Sequence, residues 1–479
     1  MIHKVSGRSR LRGQFWSCVN DANTFEWKMQ KTKHPTVPLR VPRQAYLELL
    51  LSFPVVTTLL LCIVFNVSQP KVAWAESPNV FDMEKPHHAQ SDAGAPVSGS
   101  VSAPELCEKG KEALEAFTTR REPDLLKEAL QRFNQSIMAD ETYAPVYLGL
   151  ATVMTEIAGS SALDKTKKQH LADQMQTLID RAEKINPNLS ELVQTKALVA
   201  HSIGNRKAAE QWARQSIAHH PELPLAYWVL AIVLKTDEQA VKALQDGLIV
   251  ATKPVDVWLL NMELSRTYGT MERPELLLEA CQRAEAAVPG TWWPLNNSAK
   301  ALIELKRYEE AIPIARQALD LQDYVWTRAY LIEALLSLGR IEEMRREAAS
   351  LQDAEALAYL CIKLGEHGRF EDALNLAERA IQIAPSAVGP HAQRGHAFHD
   401  LGRQPEAVAE YQMAVQLPPK NRSDRIDQSD CYFFMSYLAN KEGRLRDAAT
   451  LCQKALEVYP THKAANRLLS AIRAHQNAR

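Results

Sequence analysis

Apolar residues recur every three to four positions from near Ala103 to about Ile472, the spacing of one face of a helix. The stretch 357–419 shows the pattern at its most regular. Leu357, Leu360, Cys361 and Leu364 mark one predicted helix, and Ala373, Ala377 and Ala380 mark a second. Gly368 separates the two, and Pro385 follows them. His391, Arg394, Gly395 and Phe398 take the same places in the next helix, followed by Gly402, then Ala407, Tyr411 and Ala414, then Pro419. Each mark follows its counterpart by 34 residues. Glycine suits the left-handed residue that ends a helix, and proline cannot continue one, so each unit reads as helix, tight turn, helix. Small residues such as Cys361, Gly395, Ala373 and Ala407 are placed where two helices cross, with Leu364, Phe398 and Tyr411 filling the gaps beside them.

A 34-residue helix-turn-helix unit with a large residue, a small residue four later, an Ala-x3-aromatic pair and a closing proline resembles the tetratricopeptide repeat (TPR) family. The resemblance implies an all-α fold, a right-handed superhelical solenoid of about ten repeats. One such unit cannot bury its apolar face alone, and stacked units can.

Counting outward from the regular pair, the repeats cover 104–462. The first holds Ala129 and Phe133, and the second opens with Tyr147, Leu150 and Ala151. The second closes at Pro187, about 12 residues late, and the excess at 158–169 reads as a loop inserted between its helices. The fourth, opening at Tyr227, is about three residues short. The seventh, about 324–353, keeps Gly339 but has a degenerate second helix. A polar insertion at about 421–428 precedes the tenth, and 463–479 reads as a C-terminal capping helix and tail.

Upstream of the repeats the character changes. Residues 76–103 lack periodicity and read as a disordered linker. Residues 1–75 read as a basic leader. An apolar run from Leu49 to Phe65, preceded by basic residues and followed by Ala73-Trp74-Ala75, predicts a signal peptide cut after Ala75 or a signal anchor. Either would place the body in the bacterial periplasm, secreted or anchored in the inner membrane through the run from Leu49 to Phe65.

Charge follows the same division. Residues 1–75 carry 10 Lys and Arg against 3 Asp and Glu, leaving 46 against 54 for the rest. A mildly acidic body argues against nucleic acid as a partner. Of seven cysteines, Cys18 and Cys62 lie in the leader. Cys281, Cys361 and Cys452 fall on small-residue core positions and read as buried thiols. A disulfide between Cys431 and Cys452 is the one pairing considered. The chain carries no CxxC, G-x-S-x-G, phosphate-cradling glycine loop or H-E-x-x-H. His391, His396 and His399, with Asp400 beside them, were weighed as a metal cluster and read instead as packing or groove residues. No catalytic residue, cofactor or metal is expected, and the chain does not read as an enzyme.

TPR arrays hold a peptide or helix in a concave groove lined mostly by first helices, at repeat positions 2, 5, 6, 9, 12 and 13. Mapped onto this chain, those positions give Trp293, Asn297, Lys300, Tyr330, Tyr359, His396, His399, Phe433 and Tyr437. Phe434, Asn296, Gln393 and Asn440 fall on the same face. The lysine and asparagine set with which chaperone-binding TPR domains grip a terminal carboxylate is missing, since Asn297 and Lys300 stand isolated. The resemblance therefore implies a non-enzymatic protein–protein interaction scaffold of the cell envelope. The alternative is a regulatory or adaptor subunit of an envelope enzyme or of a secretion or assembly complex.

Overall fold

The computed structural model describes residues 101–158 and 165–477. The linker at 76–100, the leader and the run from Leu49 to Phe65 lie outside the described residues, as do Cys18 and Cys62. Among the described residues the chain forms 21 helices and no strand. They fall into two units, 101–263 and 264–477.

The first unit contains α1 (Ala103–Arg120), α2 (Pro123–Ala139), α3 (Pro145–Ala158), α4 (Lys165–Ile185), α5 (Glu191–Ser202), α6 (Arg206–His219), α7 (Pro224–Val233) and α8 (Asp237–Val250). The division falls within α9 (Pro254–Thr270). The second unit continues with α10 (Pro274–Ala287), α11 (Trp292–Glu304), α12 (Tyr308–Leu321), α13 (Val325–Ser337), α14 (Ile341–Ala349), α15 (Ala354–Glu366) and α16 (Phe370–Ile383). It ends with α17 (Val388–Asp400), α18 (Gln404–Gln416), α19 (Arg422–Lys441), α20 (Leu445–Val458) and α21 (Lys463–Asn477). Odd-numbered and even-numbered helices alternate as the first and second members of ten hairpins, and α21 follows as an additional helix. Within each unit successive hairpins stack, which makes each a stretch of solenoid.

The turns explain why the helices stop where they do. Gly368 and Gly402 have φ of 70° and 78°, the left-handed region in which only glycine escapes a Cβ clash. The following amides close the turn: Arg369 N–H donates to Leu364 O at 2.8 Å, and Arg403 N–H to Phe398 O at 2.9 Å. The side chain of that arginine then bonds the acid three residues on, Arg403 to Glu406 at 3.0 Å. At the N-termini, Asn205, Thr236, Asp353 and Asn421 each accept a backbone N–H three residues ahead.

Packing follows the small-against-large pattern. Phe133 is wholly buried between Gly110 and Gly149, where an added Cβ would meet its ring at 2.6 Å in both cases. Tyr411 repeats the arrangement against Gly395, whose Cβ would meet it at 2.5 Å. Ala373, Ala377, Ala407 and Ala414 are buried at the predicted crossings. The large residue that opens several repeats also ties the preceding turn. The hydroxyls of Tyr147 and Tyr227 donate to Glu141 O and Pro221 O at 2.8 and 3.1 Å, and His391 Nε2 reaches Pro385 O at 3.1 Å.

Three details depart from the pattern alone. The excess at 158–169 is not all loop, because α4 already begins at Lys165. Residues 422–428 lengthen α19 to 20 residues, and Gln428 Nε2 donates to Ala414 O and Leu417 O at 3.1 and 2.7 Å. Cys431 and Cys452 are separate, unpaired thiols, so the disulfide considered above is not formed. The two short repeats share a solution. α7 has 10 residues and α14 has 9, and an arginine from a neighbouring hairpin caps each shortened end. Arg206 donates to Val233 O and Leu234 O, and Arg379 to Ala348 O, Ala349 O and Leu351 O.

Candidate partner-docking face

In the 264–477 unit the first helices α11, α13, α15, α17 and α19 lie side by side. Aligned on the positive-φ residue of each turn, their exposed positions fall into ranks. Trp293, Trp326, Glu355, Gly389 and Asp430 form one rank; Asn297, Tyr330, Tyr359, Gln393 and Phe434 form the next. Lys300, Glu333, Ile362, His396 and Tyr437 form a third. The predicted residues therefore share one face, and the structure gathers them into three groups rather than one.

The first group is at α11. Trp293 is 40% exposed and stacks on Trp292 with ring centroids 5.5 Å apart, and Trp292 meets Tyr324 at 5.0 Å. Asn296 donates to Asn297 Oδ1 at 3.0 Å and accepts from the Thr327 hydroxyl at 2.8 Å. Asn297 Nδ2 reaches Ser265 Oγ at 3.4 Å, and Lys300 lies 3.8 Å from Glu304.

The second group crosses from α13 to α15. Glu333 is 5% exposed and takes the Tyr359 hydroxyl proton and the Lys363 ammonium, the latter at 3.0 Å. Burial, reinforced by the Glu333 carboxylate, holds the Tyr359 hydroxyl pKa well above its usual value. Burial alone would lower Lys363; Glu333 outweighs it and the pKa is raised. Trp326 sits edge-on to Tyr359 at 5.8 Å. Tyr330 is only 8% exposed, and burial raises its pKa, so little of this ring is left for a partner.

The third group joins α17 to α19 around Phe434, whose ring lies 4.6 Å from His396, 5.4 Å from His399 and 5.5 Å from Phe433. Phe433 lies 5.3 Å from His462, His399 lies 6.5 Å from Tyr437, and Lys441 caps the Tyr437 ring at 4.8 Å. The three histidines weighed as metal ligands bond three different partners: His391 to Glu410, His396 to the Tyr411 hydroxyl and His399 to Gln404. Among the described residues no three His, Cys, Asp or Glu side chains converge as a ligand set.

All five described cysteines are buried, and burial pushes their thiols up, Cys107 to about 11 and Cys281 to about 12. None is poised as a nucleophile. Residues that the sequence did not single out complete the face: Trp326, Glu333 and Lys363. Their signal was the turn-based register, which puts Trp326 level with Trp293 and Glu333 level with Lys300.

Residues 294–323 match the family model described as tetratricopeptide repeat. This match covers most of α11 together with the turn and α12, and the same hairpin recurs through the described residues. The chain is a tetratricopeptide repeat protein. Over 172 residues, 34% of this chain, the repeat protein is 23% identical to kinesin light chain-related protein 3 of Arabidopsis thaliana, a match spanning 23% of that protein's length. A TPR protein from Parabacteroides merdae is similar over 59% of this chain and 98% of its own, at 15% identity and a TM-score of 0.40. Yeast Tom70 is similar over 78% of this chain and 96% of its own, at 11% identity and a TM-score of 0.42.

Proposed function

We propose that this TPR protein is a non-enzymatic scaffold that docks a partner segment on the first-helix face of residues 264–477, in the cell envelope. The observation that carries the docking reading is the in-register row of side chains that the hairpins do not consume as core. Trp293 is 40% exposed, and Trp326, Phe434 and Tyr437 are half-buried on successive first helices. Aromatic rings supply large contact area at small conformational cost, which makes them frequent interface anchors. TPR proteins in general serve as interaction scaffolds rather than catalysts.

Trp293→Ala and Tyr437→Ala test the reading. Each is expected to weaken partner capture from envelope extracts by about 10-fold or more while leaving the melting temperature nearly unchanged. Loss of stability in both, or full retention of every partner by both, would remove these residues from the docking face. Tyr359 is a poor probe, because its truncation also strips Glu333 of a hydrogen bond.

A further inference from the structure

The row of aromatic residues gives way to carboxylates where α15, α17 and α19 run together. Glu355 and Asp353 belong to the start of α15, and Asp424, Asp427 and Asp430 follow one another along α19. Between them, α17 presents Gly389. A Cβ at Gly389 would lie 3.3 Å from Asp427 Oδ2 and 4.0 Å from the Cβ of Ala358 on α15. Two of the smallest side chains thus leave a recess in front of one carboxylate. Asp427 keeps some access to solvent although protein surrounds it on most sides, as befits the floor of a recess.

The neighbouring acids are satisfied and Asp427 is not. Asp424 accepts the Lys420 N–H at 2.7 Å, and Asp430 accepts from His462 Nε2 at 2.8 Å. Among the described residues Asp427 has no hydrogen-bond or ion-pair partner, and the charges acting on it are those of Asp430 and Asp424. Arg422, the basic side chain one turn earlier, turns to the Tyr459 hydroxyl at 3.4 Å. Burial and these two carboxylates raise the Asp427 pKa well above the usual range, and burial with Asp353 and Asp424 raises that of Glu355. Both shifts mark a place where negative charge lacks compensation.

We infer that this recess receives a lysine or arginine of the docked partner segment, with Asp427 as the acceptor and Glu355 and Asp424 as its electrostatic surround. The inference rests on the docking reading above and adds the chemistry of the occupant: a basic peptide segment, selected by charge complementarity. An incoming cation would convert an isolated carboxyl and its like-charge neighbours into a charge-assisted pair, the stronger kind of hydrogen bond. A neutral or acidic residue at that place would leave the repulsion unrelieved, so the recess discriminates as well as binds.

The test is selection of a random dodecapeptide library displayed on phage against the full chain and against its Asp427→Asn variant. Peptides recovered on the native chain are expected to carry Lys or Arg at one position about 10-fold above the library frequency, the scale of one charge-assisted hydrogen bond. The variant is expected to lose that enrichment while keeping the apolar positions. Glu355→Gln, further from the acceptor, is expected to reduce the enrichment without abolishing it, which guards against a folding defect in either variant. Recovery of the same peptides on native and variant chains, with no basic position, would overturn the inference and leave the docking reading standing. Recovery of nothing above background on any chain would overturn both. Preferential binding of a synthetic peptide of residues 28–45, the basic stretch of this same chain, would assign the recess to the protein's own head and overturn a separate partner.

Discussion

At the scale of single residues, His391 shows how one substitution changes what a position does. It stands in the place of Leu357 in the preceding repeat and is 5% exposed. Nδ1 faces Glu410 at 2.9 Å, Nε2 faces Pro385 O at 3.1 Å, and Arg394 holds the other carboxylate oxygen of Glu410 at 2.5 Å. Two acceptors on one imidazole favour the doubly protonated ring, and the hydrogen bond to Glu410 raises the His391 pKa despite burial. For Glu410 burial acts upward, but the hydrogen bonds from His391 and Arg394 outweigh it and the pKa is lowered. The sign follows from linkage. The raised His391 stabilises fully below its unfolded pKa of about 6.5, and that stability is lost as pH rises through the folded value. The lowered Glu410 stabilises above about pH 4.3 and loses its contribution as pH falls through its folded value. The gap in melting temperature between the native chain and His391→Gln is therefore expected to be widest between about pH 4.5 and 6.5 and to narrow by about pH 9. A gap that widens with alkaline pH would contradict the assignment of charge to this ring.

At the scale of elements, the two shortened helices carry the clearest consequence. α14 ends after 9 residues, and Arg379, on the second helix of the next hairpin, supplies the donors its last carbonyls lack. Arg379→Ala is expected to cost about 1–3 kcal/mol and to accelerate amide exchange in α14 before the rest of the unit. Uniform exchange across the unit would show that the helix end finds other donors. The shortening itself is legible in the sequence, because Gly339 and Gly368 are too close for two full helices. Arg379 is not, because its contacts lie 28 to 31 residues away and no local period reports them. Phe434 and Asp427 show the same limit on the docking face. The register that places them depends on 422–428 being helix, and a polar stretch in an interrupted repeat reads equally well as loop. Tyr330 kept its predicted face yet is nearly covered, since position on a helix fixes direction and not depth.

At the scale of the whole molecule, the proposed envelope location rests on the run from Leu49 to Phe65 and the Ala-x-Ala that follows it. N-terminal sequencing of protein from an envelope fraction is expected to begin at Glu76; a full-length, membrane-bound species would favour the anchor. Burial of the thiols has a further consequence. Cys107 lies on α1, Cys281 on α10, Cys361 on α15, Cys431 on α19 and Cys452 on α20. A solenoid held by neighbour contacts can open locally, one hairpin at a time. Each thiol is then a stopwatch for its own hairpin. It is silent to an alkylating reagent while the hairpin is shut and is labelled at the rate at which that hairpin breathes. The protein carries a built-in, site-resolved record of where along its length the stack comes apart first.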